Sequence, residues 1–186
     1  MNQAERKIIL ETLSILVGKR LNWIGRAAAM ASLGFGDPVL MERIVRKEDG
    51  TFGTEKQMIP PYALHIDGIY RLICGEQVFL GKGDVFEPAS GQQNKEDFDW
   101  ESFEWDIIGN NRYDEIGEKL LETSSPPLIV EKVSVNRLGD LSIHLTNGFK
   151  LEALIDTSGE EECWRFFEVG NEDSPHLVVT GQGIEE

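Results

Sequence analysis

The chain has 186 residues, 40% of them hydrophobic, and carries 33 acids against 18 lysines and arginines, a net charge of −15. A chain of this size suits a single domain that buries roughly 70% of the surface its unfolded form exposes, so it needs no metal or disulfide to fold. No apolar run approaches the roughly 20 residues of a membrane span, and the negative field repels phosphate backbones, which argues against membrane and nucleic-acid partners alike.

The charge is unevenly spread. Residues 1–46 hold seven bases against four acids, a balance of +3, which leaves −15 − 3 = −18 on the other 140 residues. Such a field attracts a basic protein and speeds the encounter. No small-residue cleavage site follows an apolar core near Met1, so a cytoplasmic protein is expected.

Asn2 with Glu5 three residues later has the pattern of a reciprocal N-cap, and Gly18 is placed to end the helix. Between them Ile9, Leu13, Leu16 and Val17 form an apolar stripe that Leu10 broadens. Short strands punctuated by glycine follow: 20–26 and 28–35 as a hairpin or two consecutive strands, then 39–46. Residues 47–61, closed by Pro60-Pro61, read as a mobile insertion. Strands are expected again at 62–74 and 77–80, with Gly68 marking a bulge or break. Beyond a polar loop at 87–95, Gly109-Asn110-Asn111 turns and caps a short helix whose apolar face is Ile116, Leu120 and Leu121. Ser124-Ser125-Pro126-Pro127 stops that helix. Apolar and polar residues then alternate at 128–135 and 141–146, and Asn147-Gly148 supplies a hairpin turn. Strands at 149–155, 163–169 and 177–180 complete an antiparallel meander over 127–181. The fold class is therefore α+β: mainly antiparallel β, as a curved sheet or two packed sheets, with an N-terminal helix within 1–18 and a short second helix, in one domain over 1–186.

The most informative stretch is Asp97-Phe98-Asp99-Trp100-Glu101-Ser102-Phe103-Glu104-Trp105-Asp106, where five carboxylates interleave with four aromatics. An edge strand with rings inward and acids outward would produce it. So would a hard-cation site, although no calcium-loop pattern is present. The functional reading is an interface in which Trp100 or Trp105 anchors a basic protein among Asp99, Glu101 and Glu104.

Arg26, Arg71 and Arg165 each sit inside apolar or aromatic runs, where a guanidinium must reach water, stack on a ring or meet a carboxylate. They are either structural ion pairs, with Asp84, Asp106 or Asp114 as partners, or part of a pocket for an anionic ligand. That alternative site is His65, Arg71, Asp106 and Arg165. The three histidines, His65, His144 and His176, have no metal-ligand spacing, and no nucleophile-elbow or dinucleotide motif occurs. Cys74 and Cys163 lack companions at metal-ligand spacing and read as free, buried thiols. No metal and no cofactor are expected.

Trp23-Ile24-Gly25-Arg26-Ala27-Ala28, Ala63-Leu64-His65, Trp105-Asp106, Gly109-Asn110-Asn111-Arg112-Tyr113-Asp114, Trp164-Arg165-Phe166 and His176-Leu177-Val178-Val179-Thr180-Gly181 together resemble a group of small bacterial proteins of unknown function. The likeness runs from about Leu21 onward, with the N-terminal helix and residues 47–61 as departures. The group has no established activity, so no catalytic residue carries over. Size and acidity are also similar to those of immunity proteins of bacterial toxin systems, a likeness of type and not of motif. These features imply a non-enzymatic, acidic protein-binding module; a ligand-binding protein or enzyme is the alternative, and a homodimer through helix 3–17 or a sheet edge is a third reading.

Overall fold

Local signals in the chain set its elements. The Asn2 amide donates to Glu5 Oε2 (2.6 Å) and the Glu5 amide to Asn2 Oδ1 (3.0 Å), and this reciprocal cap starts α1 (Gln3–Leu13). A 3-10 turn, Ser14–Leu16, continues it, and Gly18 at φ 81° terminates it. Ile9, Leu13 and Leu16 are fully buried, but Leu10 is 39% and Val17 52% exposed, so the buried stripe is narrower than the apolar pattern. The computed structural model describes residues 1–46, 50–93, 98–171 and 173–185.

Two hairpins follow α1: β1 (Leu21–Ala27) with β2 (Met30–Phe35), then β3 (Val39–Arg46) with β4 (Phe52–Ile59). Next come β5 (Tyr62–Ile66), β6 (Ile69–Cys74) and β7 (Gln77–Gly81), then α2 (Ser90–Gln93) and α3 (Arg112–Thr123). The last third holds β8 (Val130–Val135), β9 (Leu141–Leu145), β10 (Phe149–Leu154), β11 (Glu162–Glu168), β12 (Leu177–Thr180) and β13 (Gly183–Ile184).

All strand pairs are antiparallel. One sheet has the order β1-β2-β5-β11-β12-β13, a second β7-β6-β10-β9-β8, and β3 and β4 form a two-stranded ribbon. The α+β expectation is met, in its two-sheet form. Two expectations need correction. Where an insertion was expected at 47–61, Phe52–Ile59 is a strand that pairs with β3 residue for residue; residues 47–49 lie outside the described residues. The meander also divides, because β10 has β9 and β6 as its neighbours, and the chain then crosses to β11 in the other sheet.

The sheets share one core. Leu33, Leu64, Ile66, Trp164 and Val179 from one layer meet Tyr70, Leu72, Ile143, Leu151 and Ala153 from the other. Trp164 Nε1 donates across the layers to the Gly139 carbonyl at 3.3 Å. Helix α3 packs on β1 and β7, while α1 packs on β8 and Glu5 Oε1 accepts the Ile184 amide at 3.3 Å. Tyr113 donates to Gly25 O (3.1 Å) and Tyr70 to Ala29 O (3.3 Å). Burial pushes both phenols up, so they remain protonated donors. Cys163 is buried and Cys74 half-buried, both free, and burial raises the Cys163 thiol. Among the described residues no helix is long and apolar enough to cross a membrane.

Candidate functional site

Arg26 is the organising residue of the surface around the acid–aromatic segment. Its side chain is fully buried, so its five N–H groups need acceptors inside the protein. Nε and Nη2 grip Asp114 Oδ1 (2.9 Å) and Oδ2 (2.8 Å) in a bidentate pair. Nη1 donates to the carbonyls of Ala28 (3.1 Å) and Asp106 (3.3 Å), and Nη2 to those of Trp105 (3.1 Å) and Ile107 (3.0 Å). Asp114 Oδ2 also accepts the Gly109 amide at 2.8 Å. Asn111, which caps α3 by accepting the Asp114 amide (2.9 Å), donates to Trp105 O (2.8 Å). Strand β1, the start of α3 and residues 105–109 are thus fastened at one charged centre.

From that base the acid–aromatic segment runs as turns, not as an edge strand. Phe98, Trp100 and Phe103 form a ring cluster with centroids 5.2, 5.8 and 6.3 Å apart. Trp100 is 58% exposed at its top. Asp99, Glu101 and Glu104 in the same segment are exposed, with the Asp99 carboxylate taking the Glu101 amide at 3.0 Å. Trp105 behaves differently: it is half-buried against the core and packs on Phe86 at 5.0 Å. Ile107 and Ile108 extend the apolar surface at 46% and 70% exposure. Asp97 lies outside the described residues.

The alternative site does not assemble. Arg71 lies on the outer face of the five-stranded sheet, paired with Glu152 at 2.6 Å. Asp106 is exposed beside Arg26 and lends it only a main-chain carbonyl. His65 and Arg165 do meet, as cross-strand neighbours on β5 and β11, and Glu162 engages Arg165 through Nε at 2.6 Å. Asp84 pairs with Arg112 (3.1 Å), not with any of the three strand arginines. The described residues hold no group of three or more His, Cys, Asp or Glu placed to share a metal ion.

A cleft of about 420 Å³ opens between the outer face of the six-stranded sheet and the β3–β4 ribbon. Ser32, Gly34, Ala63 and His65, neighbours across β2 and β5, line its sheet side, while Arg43 and Gln57 come from the ribbon. Trp23 also lines it and is 54% exposed. Its indole lies over Gly25, where a Cβ would come within 2.7 Å of the ring. His65 has its pKa lowered, first by burial and then by Arg165, so its imidazole is neutral at pH 7. Phe167 packs edge-on to His65 at 4.9 Å and stacks on His176 at 4.5 Å.

Comparison with family models, with curated proteins and with solved structures gives no match for this chain. The sequence reading reached His65 but not Trp23, Arg43 or Gln57. The available signal was Trp23 and Gly25 two apart on one strand, on the same face, where glycine leaves room for a ring to lie flat.

Proposed function

We propose that the protein is a non-enzymatic, cytoplasmic binding module whose acid–aromatic segment takes a basic protein partner. The observation that carries this reading is Trp100, 58% exposed on the Phe98–Phe103 cluster, in a segment whose Asp99, Glu101 and Glu104 are exposed too. Exposed aromatics are the strongest anchors of protein interfaces, and acids around one select a basic surface and speed its approach. The Arg26 centre supports the same reading, since a segment already fastened at its base loses less freedom on binding. An immunity-like role, in which an acidic protein covers a basic toxin, is one specific form of it. Trp105, half-buried against Phe86, offers a partner less of its ring than Trp100 does.

Native mass spectrometry of the protein drawn at low salt from its own cells tests the proposal. The expected result is a discrete added mass of several kilodaltons, lost both in Trp100→Ala and in the triple variant Asp99→Lys, Glu101→Lys, Glu104→Lys, with melting temperatures unchanged. A partner retained by both variants would sink the reading.

A further inference from the structure

We propose that the cleft between Trp23 and the β3–β4 ribbon binds a small organic anion bearing a planar ring, with the ring on the Trp23 indole and the anionic group at Arg43. The site takes no residue from the acid–aromatic segment, although Arg26, which fastens that segment, borders the cleft.

Charge is the first argument. The chain carries 33 acids, yet among the described residues no Asp or Glu lines this cleft, whereas Arg43 does, beside Arg26, which Asp114 already holds. Arg26, Arg71, Arg112 and Arg165 all have carboxylate partners, but Arg43 forms no ion pair with another described residue. Glu55 stands opposite it across the ribbon, and the two form no ion pair. An anion would therefore meet a guanidinium that no carboxylate already holds, in a cleft lined by no described Asp or Glu. A basic peptide would meet repulsion there, and a nucleic acid would face the −15 of the whole molecule.

Shape is the second. Trp23 is held flat on the sheet because residue 25 has no side chain, and its uncovered face is a stacking surface for a ring. The Ser32 hydroxyl, the neutral His65 imidazole and the Gln57 amide supply hydrogen-bond partners without adding charge. A volume of about 420 Å³ falls within the range of small-ligand sites.

The test is an NMR titration of the full chain with indole-3-acetate and with adenosine monophosphate, each beside its neutral counterpart, indole-3-acetamide or adenosine. At least one anion should shift the Trp23 indole N–H and the Ser32 and His65 amides saturably, with Kd about 1 mM or lower. Its neutral counterpart should bind at least about tenfold more weakly, and Arg43→Glu should lose a similar factor. Arg43→Gln, which keeps the ribbon's polarity, should lose most of it too, while Lys132→Ala on the other sheet binds as the natural protein does. Which anion is preferred separates a carboxylate ligand from a phosphate one. Overturning results are the absence of saturable shifts from both anions, equal binding of the neutral compounds, or unchanged affinity in Arg43→Glu with its fold intact.

Discussion

A guanidinium buried in a strand must place five N–H groups, and Arg26 places them on one carboxylate and four main-chain carbonyls. Removing the cation leaves Asp114 buried without its partner and four carbonyls short of a donor. Breaking a buried pair in this way costs about 3–5 kcal/mol. Arg26→Met should therefore lower the urea unfolding free energy by about that amount and raise hydrogen exchange at the Gly109 amide. A loss under about 1 kcal/mol would mean that the pair is compensated elsewhere. Arg71, at 45% side-chain exposure, should show a far smaller loss, as surface pairs do. The sequence marks Arg26, Arg71 and Arg165 in the same way, each a cation among hydrophobics. What separates them is where the chain returns: Asp114 lies 88 residues beyond Arg26, and no local spacing announces that contact.

At the level of the elements, the N-cap of α1 and the Asn147-Gly148 turn were legible because neighbouring residues decide them. Asn147 and Gly148 both adopt positive φ, at 62° and 74°, as a tight hairpin turn requires. Helix α3 was legible in position and in part of its contact face. Ile116, Leu120 and Leu121 all pack on the core, but the fully buried positions also include Tyr113 and Gly117, which the stripe leaves out. A glycine gives no hydrophobic signal, although it sets how closely the helix approaches β1: a Cβ at Gly117 would sit 2.9 Å from Ile24 Cγ2. Gly117→Ala tests this. Helix propensity alone favours alanine by about 1 kcal/mol in a helix interior. Overpacking against a β-branched side chain on a buried strand costs about 1–3 kcal/mol and should win. The variant should unfold at lower urea, and the double change Gly117→Ala with Ile24→Ala should show a loss smaller than the sum of the two singles. Stabilisation by Gly117→Ala alone would show that the helix can simply move away.

For the whole molecule, alternation revealed which face of each strand is buried but not which sheet holds it. Both sheets hide one face in the same core, so β8–β10 and β11–β12 carry the same pattern while lying in opposite layers. The cleft was invisible for a related reason, since it depends on how the β3–β4 ribbon stands over the six-stranded sheet. Charge is a property the sequence does determine, and it has a consequence for stability. With 33 acids against 18 bases, at least 33 − 18 = 15 carboxylates have no lysine or arginine of their own in the compact state, and this excess repels itself. Salt weakens that repulsion, because the screening length falls from roughly 30 Å at 0.01 M to about 10 Å at 0.1 M. It also weakens the exposed pairs such as Lys7–Glu11 and Glu42–Lys56, but these contribute only about 0–1 kcal/mol each. The buried Arg26–Asp114 pair is too enclosed to be screened much. The long-range term should dominate, so the urea midpoint should rise as sodium chloride increases over that range, with no change in the slope of the transition. A midpoint that falls would show that local pairing outweighs the net charge, and that the acids are placed as partners for the molecule's own cations rather than left as a field for another protein.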